Sequence, residues 1–500
     1  MKKYLTLTLG ILISQLSIAQ NEDDALRYSM TDYQGSARFE AMAGSFGALG
    51  ADFSSSQINP AGIARFSTSQ FSFSFRNNLI DTRSTYANQQ SNDFGNAFKM
   101  GTLGLVLTTD QSTSRSGITF SQFTLGYTRV NNYHSNIQIS GRNDVSLLDE
   151  FVALGDGISP DNDDIYFYRP FTTGLAYEVY LLDYDYPNQE YYSSLNNPSI
   201  SSRTVNQTRN IEKRGGMGDY NIGFSLNYLN RFYFGANANY RTVNYKEEYT
   251  HTETAVADQE VNFEYFDYIY NLETSGGGFN MKLGFLYLHS EALRMGLSLE
   301  TPSFLRLTDN WTARMKASIY NGTEYVETKT AVDFIPTGEY DYRIWTPMKT
   351  KASIAYVFNM KGSINVDVEH VAYNTARLKP ILTNNDNYDF ATENQEVRNQ
   401  YRNVLNLRIG GELSIGGTFF VRGGYAFLPS PYKKEISKNY STQLITMGIG
   451  KKWRNSQIDI AYKNKIFDQE YFMVNPTFGD VGSTISTASN SIILSYTLIF

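Results

Sequence analysis

The chain has 500 residues and a formal net charge of −7, with charged residues at 19% and no basic block, which argues against nucleic acid as a partner. It has no cysteine, so disulfides, thiol catalysis, cysteine-based metal sites and a lipid-modified N-terminal cysteine are excluded. The 38 tyrosines, 32 phenylalanines and 38 glycines, without long helical patterns, point to β-structure. A prior of about 150 residues per domain suggests about three domains, but it fails for large single barrels.

Lys2 and Lys3 precede an apolar run from Leu5 to Ile18, and Ser17-Ile18-Ala19 supplies small residues at a cleavage position. This order predicts an export signal over 1–19, with the mature chain starting near Gln20. No later stretch reaches the roughly 18 apolar residues of a spanning helix. The next segment, 20–68, is rich in Gly, Ala and Ser between Gly35 and Ala64, yet retains Phe39, Met42, Phe46, Leu49 and Phe53. A free leader would not keep such residues, so a compact, turn-rich plug is expected. It ends in SSSQINPAGIARF, where Pro60 restricts Asn59 to extended backbone and Gly62 permits a bend.

From there the sequence alternates with period two. Phe71, Phe73 and Phe75 alternate with polar neighbours; Ile222, Phe224, Leu226 and Tyr228 oppose Asn221, Gly223, Ser225 and Asn227. Such segments predict about fourteen strands near 69–79, 96–109, 118–140, 219–230, 231–254, 270–288, 292–317, 339–358, 362–374, 403–415, 418–428, 440–453, 456–466 and 489–500. Connections alternate between short and long, as in barrels with periplasmic turns and external loops. The longest loop, 141–218, carries an expected short helix around Leu147–Leu154 and reads as an external cap. Tyr127, Tyr240, Tyr356, Tyr425 and Tyr462 fall near strand ends, as an interfacial girdle requires. In ITFSQFTLGYTRV the apolar phase slips, which places a β-bulge at Ser121-Gln122. The chain closes on Ile492, Leu494, Tyr496, Leu498 and Phe500 on one face; a terminal aromatic of this kind is expected to be read by barrel-assembly machinery. The fold class expected for 69–500 is therefore an all-β, transmembrane antiparallel barrel of about 14 strands in a bacterial outer membrane, in contact with its lipid, with 20–68 as a hatch in the lumen.

Charged residues on the inward phase, Arg241, Asp367, Glu369, Arg408 and Arg422, are expected to form lumen ion pairs that hold the hatch, because charge facing lipid costs a few kcal/mol. The four histidines, His134, His251, His289 and His370, lack close metal-ligand spacing; His134 or His251 could serve as the axial ligand of a haem, but exposed strand-end or loop positions are expected for them. No serine has an evident activating base, so no metal, cofactor or enzyme activity is expected.

GSARFEAMAGSFGALGADFSSSQINPAGIARF resembles the hatch of the FadL/TodX family of outer-membrane transporters for hydrophobic compounds: Ala43-Gly44, Ala48-Leu49-Gly50, Asp52 and then Asn59-Pro60-Ala61-Gly62 stand before the first strand. LRMGLSLETPSF from Leu293, and NLRIGGEL followed by FFVRGGYAFLPSPY from Asn406, extend the likeness. The resemblance implies a monomeric, hatch-plugged barrel passing long-chain fatty acids or aromatic hydrocarbons by diffusion, with sideways exit where the third strand is kinked. On that basis Ser121 and Gln122 become the candidate wall opening, and Asn59, Pro60, Ala61 and Gly62 the gate. The alternative, from other barrels similar to this family, is a docking subunit of a protein secretion or surface-assembly complex. A polar-solute porin conflicts with a plugged lumen.

Overall fold

The computed structural model describes residues 22–113, 115–196, 200, 202–256, 261–330, 335–358, 361–381, 388–435 and 440–500. The expected signal segment 1–19 and the expected mature start at Gln20 lie outside the described residues. Fourteen wall strands pair antiparallel with their chain neighbours: β1 (Gln70–Tyr86), β2 (Gln89–Asp110), β3 (Ile118–Asn132 continued by Ser135–Asn143), β4 (Val205–Tyr228), β5 (Phe232–Ala255), β6 (Phe263–Leu288), β7 (Leu293–Glu300 and Phe304–Tyr320), β8 (Thr337–Trp345 and Lys349–Phe358), β9 (Gly362–Ala372 and Arg377–Pro380), β10 (Asn403–Ile415), β11 (Phe419–Leu428), β12 (Thr442–Lys452), β13 (Ser456–Tyr471) and β14 (Ser483–Ile499). β14 returns to β1, Phe71 opposite Leu498 and Phe73 opposite Tyr496, and closes the barrel. Closure pairs both edge strands of the sheet with each other, as a wall in lipid requires. No described helix is long and apolar enough to cross a membrane.

The outward phase is apolar at mid-height. Leu103, Phe123, Phe224, Leu283, Leu413, Ile449 and Leu494 are all exposed. At the long-loop edge of this belt one aromatic row crosses six strands: Tyr127 opposite Tyr220, Tyr220 opposite Tyr240, Tyr240 opposite Phe279, Phe279 opposite Phe304, and Phe304 opposite Trp345. This is the girdle that a membrane-spanning barrel places at its interface.

Strands at the long-loop end extend further than the pattern suggested. β1 and β2 continue to a two-residue turn at Ala87-Asn88, both at positive φ (45° and 64°), so the expected connection over 80–95 is a hairpin ribbon. β4, β6, β13 and β14 lengthen in the same way. Beyond the lipid the outward face is no longer apolar, and buried residues such as Tyr86, Ile211, Tyr245 and Phe266 stand on the inward face instead, so the phase seen in the belt is lost while backbone pairing persists. β7 and β8 are each interrupted side by side, at Thr301-Pro302-Ser303 and Thr346-Pro347-Met348; proline offers no N–H to the ladder, and the gap is bridged by the Thr346 amide donating to the Ser303 carbonyl (3.1 Å).

Candidate functional site

The lumen is occupied by residues 22–68, nearly all buried. Helix α1 (Glu22–Arg27) lies at the long-loop end, and helix α2 (Ala37–Ala41), capped by the Ser36 hydroxyl on the Phe39 amide (3.1 Å), sits at mid-height against β11–β14. Two 3-10 turns complete the plug. Asp52 caps the first, Phe53–Gln57, through the Ser54 amide (2.8 Å). Asn59 caps the second, Pro60–Arg65, by accepting from the Ala61 amide (3.0 Å). The Asn59 Nδ2 also donates to the Gly47 carbonyl (2.7 Å) and to the Phe285 carbonyl of β6 (3.1 Å). The Pro60 carbonyl accepts from Ser225 Oγ of β4 (3.0 Å), and Ala61 and Ala64 pack on Tyr233 and Leu286. Gly62 lies against Gly50; a Cβ on it would stand 3.0 Å from the Gly50 Cα.

The wall receives this plug at inward-facing glycines. A Cβ at Gly104 or Gly126 would strike the Phe53 ring (2.3 and 2.4 Å). At Gly235 it would meet the Pro60 carbonyl carbon (2.3 Å), at Gly296 the Gly47 oxygen (2.3 Å), and at Gly410 the Met42 oxygen (2.6 Å). Backbone-to-backbone contact around the plug explains why glycine sits on so many inward positions.

Charge locks the remaining contacts. Arg241 pairs with Asp219 (2.7 Å) and Glu300 (3.3 Å); Lys351 bridges Glu300 (3.6 Å) and Glu369 (3.3 Å); and Glu369 accepts from the hatch Tyr33 hydroxyl (2.8 Å). Arg422 pairs with Asp459 (2.7 Å) and Glu412 (2.6 Å), which also holds the hatch Arg38 (3.0 Å). Two of the five expected ion-pair residues act differently. Asp367 accepts from the Phe46 (2.9 Å) and Gly47 (3.1 Å) amides, and Arg408 donates to the Ala43 carbonyl (3.3 Å). They face each other across β9 and β10, but among the described residues neither is in a salt bridge. Each spends its charge on hatch backbone, where buried amides and carbonyls need partners.

Sequence reasoning missed the hatch's own charged residues. Glu40 meets Arg76 (3.3 Å) and Lys463 (3.6 Å), and Asp32 meets Lys463 (2.7 Å) and Lys465 (3.6 Å). Burial pushes the Asp32 carboxyl up, but Lys463, Lys465 and Arg76 more than offset this and hold it well below the usual carboxylate range. The inward phase of β13 was a legible signal for Lys463; nothing ahead of the Gly/Ala-rich run marked Asp32.

The expected bulge at Ser121-Gln122 is absent. The shift lies at Thr119: Ile118 faces Tyr228, Phe120 faces Asn227, and from there β3 pairs evenly with β4 up to Arg129. Phe120 shares the phase of Gln122, one step out from Ile118. Gln122 is buried and its Nε2 donates to the Phe66 carbonyl (2.8 Å), where the hatch joins the wall.

The wall does break, higher up. The β2–β3 ladder runs from Asp110–Phe120 to Thr102–Thr128 and stops there. At that height Gly101 is skipped in the β1–β2 register and Val130 in the β3–β4 register. Above it, Ser135–Asn143 pairs with β4 and lies against the inward face of β1, whose Thr82 and Ser84 hydroxyls donate to the Asn136 and Gln138 carbonyls. Among the described residues, Gln89–Met100 of β2 has a ladder with β1 alone. The hatch seats on this break: the Asp32 amide donates to the bulged Val130 carbonyl (2.9 Å), and Asn131 Nδ2 donates to the Met30 carbonyl (3.3 Å).

Above the hatch, the long-loop end is filled by aromatic and aliphatic side chains, among them Tyr28, Phe266, Tyr342 and Phe390. Helix α3 (Leu147–Leu154), found where expected, packs Leu147, Leu148 and Phe151 into this mass. His251 is buried rather than exposed, bonded to Arg209 (3.2 Å) and Glu253 (2.9 Å); Glu253 in turn accepts from the Leu147 amide (2.8 Å) and ties the cap to β5. No cluster of metal-ligating side chains occurs among the described residues.

The geometry defines a class: a closed fourteen-strand barrel, apolar outside, with an N-terminal hatch bonded through its lumen and an outer-membrane-type girdle. No family model and no curated protein matches the chain. Solved structures do. One described as a Pseudomonas aeruginosa FadL homologue is similar at a TM-score of 0.56 and 11% identity, covering 94% of this chain and 99% of that one. The Pseudomonas putida toluene transporter TodX is similar at 0.51 and 12%, again covering 94% and 99%. The chain thus has the FadL/TodX fold.

Proposed function

We propose that this protein is an outer-membrane channel for passive, hatch-gated uptake of small hydrophobic molecules, long-chain fatty acids or aromatic hydrocarbons, with sideways exit through the wall. The observation that carries this reading is the wall break above Thr102–Thr128 with the hatch segment Met30–Asp32 seated on it. A ligand entering the aromatic mass above the hatch meets that break at the level of the Asp32–Lys463 pair and before the Arg38–Glu412 pair deeper in the lumen. An apolar solute gains about 25 cal/mol per Å² by staying out of water, so a route into lipid is easier for it than one through a charged lumen. Asn59, Pro60, Ala61 and Gly62 are the pivot in this reading, fixing the hatch to β4–β6 while the Asp32 end moves. The solved barrels of this fold include the toluene transporter TodX, which supports the ligand class.

The native chain lacks cysteine, so a hatch lock can be built without background. Ala37→Cys with Ser495→Cys places a disulfide where the Ala37 amide now donates to Ser495 Oγ (3.1 Å). Uptake of a labelled fatty acid or toluene by cells should fall under oxidation and return on reduction; full uptake by the cross-linked protein overturns hatch gating.

The second reading, a docking subunit of a secretion or assembly complex, draws on the exposed aromatics of the cap, Phe167, Tyr168, Tyr180 and Tyr186. Stoichiometric co-purification with a large partner, and no uptake, would favour it.

A further inference from the structure

The charge of the chain is unevenly placed. Residues 144–196, the cap over the long-loop end, hold eleven carboxylates and a single cation, Arg169, in a chain whose whole excess of acidic over basic residues is seven. Asp156, Asp161, Asp163, Asp183 and Glu190 stand exposed among the rings of Phe167, Tyr168, Tyr180 and Tyr186. Arg169 is turned to backbone: its Nε donates to the Leu154 carbonyl (2.7 Å) and its Nη1 to the Tyr168 carbonyl (3.1 Å).

Two cavities flank the aromatic mass, and the side chains that line each carry charge of one sign. The first, about 220 Å³, opens between the cap and the β7–β8 connection. Tyr166, Pro170, Leu175, Ile335 and Pro336 line it, and Glu178, held by the Tyr166 hydroxyl (3.1 Å), is the charged residue among its described lining. The second, about 340 Å³, lies above the wall break beside the unladdered stretch of β2, and its charged lining is Asp93, Glu212 and Glu248. Glu212 and Glu248 face each other directly across β4 and β5, a like-charge pairing that costs stability; Arg214 pairs with Glu212.

Cations that reach the mass itself are already held. Arg27 is bound to Asp24, Arg209 to Tyr471 (3.1 Å) and His251 (3.2 Å), and Lys213 to Glu247 (3.3 Å). A carboxylate head group entering there would lose its hydration and compete with these partners for a cation, and burial of an unpaired charge costs far more than burial of a hydroxyl or a methyl group. Outside, a surface of one sign lowers the local concentration of ions of that sign and slows their arrival. Both effects act against a fatty acid carboxylate, and neither acts against a neutral molecule of the same chain length.

We propose that the cap filters ligands by charge, so that the barrel takes up neutral hydrophobic molecules and turns away long-chain carboxylates. This rests on the uptake reading above and narrows it to one substrate class.

The test compares dodecanol with dodecanoate, equal in chain length and different in charge at about pH 7.5. Initial uptake of each, with toluene alongside, is measured in cells with and without the full-length protein. Protein-dependent uptake of the alcohol should exceed that of the carboxylate about ten-fold, and the ratio should narrow at high ionic strength. Asp156→Asn with Asp163→Asn, Asp183→Asn and Glu190→Gln, and separately Glu178→Lys, should each raise dodecanoate uptake several-fold. Dodecanoate uptake that equals or exceeds that of dodecanol, or a ratio that neither salt nor either variant moves, overturns the filter. The wild-type ratio and its salt dependence decide it even where a variant fails to fold. Toluene uptake with dodecanoate matching dodecanol sinks the filter and leaves the channel reading standing; protein-dependent uptake of none of the three compounds sinks the channel reading itself.

Discussion

At the scale of single residues, side-chain direction decides function. Gly410 and Gly411 adjoin, yet a Cβ on Gly410 would stand 2.6 Å from the Met42 oxygen, whereas the nearest atom to one on Gly411 is 3.5 Å away. Gly410→Ala should cost about 1–3 kcal/mol through forced backbone movement, and Gly411→Ala much less. The temperature at which each folded barrel loses its unboiled gel mobility reads the difference; equal losses would contradict the packing. Asp32→Asn leaves Lys465 without its carboxylate and Lys463 with Glu40 alone at 3.6 Å, which should cost about 1–3 kcal/mol. It should loosen the hatch at the wall break, seen as faster backbone hydrogen exchange over residues 30–36 with the wall strands unchanged. The sequence could show that charge sits on the inward phase, as for Arg241 and Glu369. It could not show that Asp367 and Arg408 turn to hatch backbone, because partners more than 300 residues away in the chain leave no local trace.

At the scale of elements, the alternation of apolar and polar residues located the strands inside the lipid belt, because lipid on one side and lumen on the other impose it. It failed where that boundary condition ends. The ribbons of β1–β2 and β4–β5 turn polar outside and bury Tyr86, Ile211 and Tyr245 inside, against the phase of the belt, and β7 and β8 break at Pro302 and Pro347. The slip read at Ser121-Gln122 lies at Thr119, and the bulge beside the wall break, at Val130, was unread since the flanking residues are polar or buried on both phases. Deleting Val130 removes the extra residue and lets β3 continue its pairing with β2. Uptake should drop several-fold while the barrel still folds; unchanged uptake would rule out sideways exit through this break.

At the scale of the whole molecule, the hatch is bonded to wall strands from β1 to β14, and many of its partners are the most distant in the chain: Ala37 with Ser495, Asp32 with Lys463, Arg38 with Glu412. The Gly/Ala run and the Asn59-Pro60-Ala61-Gly62 turn made a hatch legible, since small residues and Phe39, Met42 and Phe46 together demand close packing. Its seating was not, because every contact lies across the lumen.

Those distant partners bear on how the barrel is born. Loop closure over hundreds of residues is entropically costly and slow. The hatch emerges from synthesis before the wall, and of the residues that hold it Lys463 and Ser495, on β13 and β14, follow more than 400 residues later. A wall that sealed β14 to β1 before enclosing residues 22–68 would strand Asp32, Arg38 and Glu40 outside and leave Lys463, Glu412 and Arg76 unpaired within. On this argument the hatch acts as a mandrel around which the sheet is wound, and the β14–β1 seam is expected to close only once residues 22–68 are enclosed.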